Sequence, residues 1–251
     1  MPSTSSSPRT DAIGPVPGSA AGDGCEDGVE GARNPWLQVR RLGRVPYREA
    51  WALQKRLVEE RRQGAIGDVL LVVEHDDVVT TGRGTADEFL ADTAPGDGTT
   101  TPIDVVEVER GGQATWHGPG QIVVYPIVAL AEGHHDLHAW LRALEQAGIE
   151  TAQAFGVPAG RRDGATGVWV GDGQRKLASI GVAASRWVTY HGMAFNHAPD
   201  LTAFASIEPC GFDASVMTSM AREIEGEVPA RGAVEDALVT ALARHLAPFA
   251  G

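Results

Sequence analysis

Val69-Leu70-Leu71-Val72-Val73 is an unbroken apolar run that ends at Glu74-His75. A strand with one wet face alternates polar and apolar residues, so a run without alternation belongs to a strand covered on both faces. Upstream, Trp36-Leu37-Gln38-Val39 reads as a strand, and Pro46-Tyr47 leads into a helix with Ala50, Trp51, Gln54, Leu57 and Val58 at helical spacing. Downstream comes a loop carrying Thr81, Gly82 and Arg83, then turn formers over 92–102 that predict a surface loop, then a short strand over 105–108. A further strand is expected over 122–128. Asp136 reads as the N-cap of a helix stopped by Gly148, with Leu137, Trp140, Leu141 and Leu144 as its apolar stripe. Residues 167–170, a Gly171-Asp172-Gly173 turn and residues 175–184 predict a β-hairpin, followed by a strand over 187–195 and an amphipathic helix over 234–246. This order lacks the regular alternation of a doubly wound sheet. It predicts an α+β fold, a mixed β-sheet with flanking helices, in one domain over 35–251.

The 251 residues suffice for one sizeable core, and with 43% hydrophobic and 22% charged residues the composition is that of a globular protein. No stretch approaches the roughly 18 apolar residues of a membrane span, so no membrane is expected as partner. A net charge of -12 argues against nucleic acid, whose phosphates are gripped by clustered Lys and Arg. Residues 1–34 are rich in Ser, Pro, Gly and Ala, carry Asp11, Asp23, Glu26, Asp27 and Glu30 against Arg9 and Arg33, and predict a disordered tail without a secretory signal. Of the two cysteines, Cys25 falls in that tail, so no disulfide framework is expected and a reducing, cytoplasmic setting is the simpler reading.

The densest unusual stretch is Arg110-Gly111-Gly112-Gln113-Ala114-Thr115-Trp116-His117-Gly118-Pro119-Gly120-Gln121, where glycines let backbone approach a ligand. Cys210, in Glu208-Pro209-Cys210-Gly211-Phe212, sits in a turn that presents its thiol; it reads either as a small buried hydrophobe or as a nucleophile. Lys176 shares strand parity with Ala178, Ile180, Val182 and Ala184. It either snorkels to solvent or points inward, where its ammonium would favour the thiolate of a nearby cysteine over a thiol of ordinary pKa about 8.5. His75-Asp76-Asp77 and the trio His134, His135 and His138 offer metal-binding side chains, but a polar strand end and a helix start account for them, and no metal is expected. Neither a phosphate-binding G-x-x-x-x-G-K-[ST] loop nor a G-x-S-x-G elbow occurs.

Taken in order, the 110–121 stretch, Lys176-Leu177-Ala178-Ser179-Ile180-Gly181, Thr189-Tyr190-His191-Gly192-Met193-Ala194-Phe195-Asn196 and Pro209-Cys210-Gly211 closely resemble the lipoyl(octanoyl) transferase family. The likeness covers about residues 36–248. It implies the α+β catalytic fold shared with biotin and lipoate protein ligases, and transfer of an octanoyl group from octanoyl-acyl carrier protein to a specific lysine of lipoyl domains. Those acceptors belong to 2-oxoacid dehydrogenase acyltransferase subunits and the glycine cleavage H protein. The family's nucleophile falls on Cys210 and its partner lysine on Lys176. Its substrate-contacting segments fall on Arg110, Gly111, Gly112, Gln113, Ala114, Thr115, Trp116 and His117, on Ser179, Ile180 and Gly181, and on Gly192, Met193 and Ala194. No cofactor is implied, since two thioester steps need no adenylate. An ATP-dependent ligase of the same fold is the alternative, and it would need an adenylate-binding loop.

Three further expectations follow from the resemblance. Gly111, Gly112, Gly181 and Ala194 leave room for the acyl methylenes. Trp116 stands where the family usually has tyrosine, and Asp76 and Asp77 replace a common proline-containing loop, so Trp116 is expected to reshape the acyl pocket. The carrier protein, acidic as a class, needs a local basic patch, for which Arg40, Arg41, Arg44 and Arg48, or Arg161 and Arg162, are candidates.

Overall fold

A computed structural model describes residues 36–85, 103–206 and 214–251. The N-terminal tail, the 92–102 loop and Cys210 lie outside the described residues. Seven strands form the main sheet: β1 (Leu37–Arg44), β2 (Asp68–Glu74), β6 (Gln121–Ile127), β10 (Val188–Asn196), β9 (Arg175–Ser185), β8 (Ala165–Val170) and β7 (Ala159–Arg162), in that spatial order. Only β1 and β2 run parallel, joined by helix α1 (Tyr47–Arg62); the remaining pairs are antiparallel. A smaller sheet holds β4 (Asp104–Glu107), β3 (Val78–Thr81) and β5 (Thr115–His117), with β3 central, so both sheets are mixed.

The apolar run of β2 is unbroken because both faces are covered. Leu70 and Val72 turn to the core under α2 (Leu137–Ala154) and α4 (Arg231–Leu246), while Val69, Leu71 and Val73 turn to the core under α1. A short helix α3 (Met220–Glu223) follows the segment that leaves residue 213. A third cluster, Val79, Trp116, Phe204 and Met217, packs against the small sheet.

Two local expectations need correction. Asp136 does cap α2, accepting from the N–H of His138 and Ala139 at 2.8 and 3.1 Å, but the helix runs through Gly148 to Ala154. Gly148 faces the sheet so closely that a Cβ there would lie 2.7 Å from Val168 Cγ2 and 3.2 Å from the Met193 sulfur. Glycine therefore serves helix-on-sheet approach, at a propensity cost of about 1 kcal/mol against alanine. Thr81, read as part of a loop, ends strand β3, which pairs with β5 inside the glycine-rich 110–121 stretch.

Candidate active site

The β9–β10 ladder sets Ser179 opposite Ala194, Ile180 opposite Met193 and Gly181 opposite Gly192. The glycine-rich loop lies along this ladder, with Gly111 N–H donating to Val182 O at 3.0 Å. A cleft opens between them. Arg110, Gly112, Thr115 and His117 line it from the loop, and Ser179, Ile180, Gly181, Gly192, Met193 and Ala194 from the ladder. Gly111, Gln113, Ala114 and Trp116 do not line it. Trp116 is buried against Phe204, with ring centroids 5.1 Å apart.

Sequence reasoning missed Tyr47, Val123, Tyr125 and His191, which complete the lining. Tyr125 carried a signal, a hydroxyl inside the apolar 122–128 run, because a buried phenol needs a partner. Its partner is His75: Nδ1–H donates to Val45 O at 2.7 Å, which leaves Nε2 to accept from the Tyr125 hydroxyl at 2.8 Å. Burial pulls His75 below the usual histidine range and pushes the Tyr125 phenol well up, so both are neutral.

A hydrogen-bond chain crosses from the cleft to the neighbourhood of Lys176. Arg110 donates to Thr80 O at 2.7 Å and to its hydroxyl at 2.9 Å. That hydroxyl meets His117 Nε2 at 3.3 Å, and His117 Nδ1 meets Gln121 Oε1 at 3.3 Å. Gln121 donates to Asn196 Oδ1 at 3.0 Å, and Asn196 Nδ2 donates to Thr218 O at 2.9 Å. Burial holds His117 well below its ordinary pKa, with His75 and Arg110 acting the same way.

Lys176 is 2% exposed and stands opposite Trp169, its Nζ 5.4 Å from the centre of that ring. Thr218 N–H donates to Lys176 O at 3.0 Å, and Met217 pairs with Lys176 as a parallel bridge. The chain emerging from residues 207–213 is therefore laid beside Lys176. Glu223 fixes it there, accepting from the Thr218 hydroxyl at 2.6 Å and from Arg175 at 2.7 Å.

The glycines of the ladder act on the backbone. A Cβ at Gly181 would lie 2.8 Å from Gly111 O and 3.0 Å from Arg110 Cδ, so Gly181 lets the loop approach β9.

Comparison with known proteins gives a consistent answer. The family of the lipoyl protein ligase A/B catalytic domain matches residues 46–243. An octanoyltransferase of Corynebacterium efficiens is 43% identical over 198 residues, 77% of this chain and 75% of that protein. One from Mycolicibacterium gilvum is 44% identical over 206 residues, 80% and 82% of the two chains. Among solved structures, lipoate-protein ligase A bound with ATP superimposes with a TM-score of 0.62 at 14% identity, over 84% of this chain and 85% of that one. The bipartite lipoate protein ligase of Thermoplasma acidophilum gives 0.63 at 16% identity, over 84% and 83%. These two show the fold.

Proposed function

This chain belongs to the lipoyl protein ligase A/B catalytic domain family, and on that premise we propose that it is an octanoyltransferase with Cys210 as nucleophile and Lys176 as its proton-transfer partner. The donor is octanoyl-acyl carrier protein, the acceptor a lysine of a lipoyl domain, and the setting cytoplasmic. Among the described residues, no helix is long and apolar enough to cross a membrane.

The observation that carries the residue assignment is the fastening of the chain that follows Cys210 to Lys176. Thr218 N–H binds Lys176 O at 3.0 Å, eight residues beyond Cys210, beside a cleft lined by Ser179 and Gly181. Protons balance over the cycle. Cys210 thiolate attacks the octanoyl thioester carbonyl, the carrier thiolate leaves, and the Lys176 ammonium protonates it. The neutral acceptor lysine then attacks octanoyl-Cys210, its surplus proton passes to Lys176, and Cys210 thiolate departs. One thioester is exchanged for another and then for the more stable amide, so no ATP is consumed.

Intact-mass measurement after incubation with octanoyl-acyl carrier protein tests this. One octanoyl adduct, removed by hydroxylamine and absent in Cys210→Ala, is expected. A wild-type protein that stays unmodified yet catalyses ATP–pyrophosphate exchange is a ligase instead.

A further inference from the structure

His191 has a backbone φ of +57°, a left-handed conformation disfavoured for L-residues, inside β10. Among the described residues, the other non-glycine positions of this kind, Asp172, Arg186 and Trp187, sit in turns between strands. Gln54 holds His191 in place: this fully buried side chain on α1 accepts the His191 N–H at 2.8 Å. Strain maintained by a buried clamp points to a use for the side chain it aims. The imidazole lines the cleft, is 2% exposed, and its Nε2 has no hydrogen-bond partner; Glu109 Oε2 stands off at 3.7 Å. The buried hydroxyl of Thr115, also in the cleft wall, is unpartnered too.

The cleft has a direction. Gly112 is exposed and Ile180 and Gly181 half-buried at its rim, whereas His117, Val123, Tyr125 and His191 are buried. Along β9, Ser179 is three residues from Lys176, and Val182, the partner of His191, three residues further. At about 3.3 Å per residue the step from Ser179 to His191 spans about 10 Å, comparable to an extended eight-carbon chain.

Resting on the octanoyltransferase reading, we propose that His191 is the specificity-determining residue at the inner end of the cleft, stopping the acyl chain at eight carbons and preferring a polar atom to a methylene beyond them. A ninth methylene would displace whatever satisfies Nε2 and leave that nitrogen buried against hydrocarbon, a larger loss than one CH2 gains.

The test compares octanoyl-, nonanoyl- and 8-hydroxyoctanoyl-acyl carrier protein as donors, reading kcat/KM for acylation of Cys210. The last two have the same number of chain atoms. Wild-type protein is expected to favour the hydroxylated chain over nonanoyl about tenfold. His191→Gly, which fits the left-handed backbone and opens the end, should abolish that preference and raise nonanoyl relative to octanoyl; His191→Asn should keep it. Nonanoyl equal to or better than 8-hydroxyoctanoyl in the wild type overturns the inference, as does a uniform loss for all donors in His191→Gly. A wild-type protein that forms no octanoyl adduct at all sinks the parent reading instead.

Discussion

Asp77 accepts the indole N–H of Trp116 at 3.1 Å, so the turn after β2 is joined to β5. Asp77 is exposed and Trp116 buried, which makes the bond a tether between the β2–β3 turn and the core of the small sheet. In a double-mutant cycle of Asp77→Ala and Trp116→Phe, measured by chemical denaturation, a coupling of about 0.5–1 kcal/mol is expected. Strict additivity would show the bond to be energetically idle.

Gly181→Val bears on what the glycines of the ladder do. Since its Cβ would press on Gly111 O and Arg110 Cδ, the substitution should push the 110–113 loop off β9. Acylation by hexanoyl and octanoyl donors should fall together, by tenfold or more. A selective gain for hexanoyl would mean that the valine fills the cleft and the loop holds its place.

Gly167 makes room for Lys176. A Cβ at Gly167 would lie 2.8 Å from Lys176 Cε and 2.6 Å from Ala178 O, and its φ of +143° is already costly for other residues. Gly167→Ala should therefore cost about 1–3 kcal/mol of stability and slow octanoyl-Cys210 formation by more than tenfold at temperatures where the variant remains folded. Full activity in a folded Gly167→Ala protein would detach Lys176 from the chemistry.

Much of this architecture was legible because burial writes itself into pattern. The run over β2 announced two covered faces, and Asp136 announced the start of α2. Gly148 misled because a glycine that admits a neighbouring strand looks, in sequence, like one that ends a helix. The strands β3 and β5 have four and three residues, too few for a period to emerge, and they exist through their pairing with each other. Ser179, Gly181 and Gly192 could be picked from ordered motifs, whereas Tyr47, in Pro46-Tyr47-Arg48, read as an ordinary first-turn aromatic, and for Tyr125 only its hydroxyl inside an apolar run gave a signal. Nothing local marks His191 as left-handed, because the cause, Gln54, lies 137 residues away.

Histidine burial sets the acid side of the stability profile. Burial first, and Arg110 next, pull His191 down to about 4, against the opposing effect of Glu109, and His117 is depressed as well. Between that value and the unfolded pKa near 6.5, the unfolded chain binds more protons, so stability falls as pH drops from about 6.5 towards 4, by up to about 1.4 kcal/mol per unit for each such group. Denaturation midpoints at pH 7.5, 6 and 5 should decline in the wild type and less steeply in His191→Asn. Equal slopes would place the proton uptake elsewhere.

Arg161, although exposed, is engaged by the protein's own groups. It donates to Glu145 Oε2 at 3.0 Å and to Arg142 O at 3.1 Å, while Glu145, 1% exposed, also accepts from Gly167 N–H at 3.1 Å. Arg161→Glu would set a second carboxylate against a buried one that Arg142 still holds at 2.6 Å, and a loss of about 1–2 kcal/mol is expected, whatever the carrier protein does. Among the described residues, Arg40 bonds only to the exposed Gln38 in the same strand, at 2.8 Å, so its reversal leaves the core intact. In Arg40→Glu the midpoint should stay within about 0.5 kcal/mol of wild type, while KM for octanoyl-acyl carrier protein rises severalfold at low salt and the difference fades as salt screens it. An unchanged KM at low salt would move the docking patch away from β1.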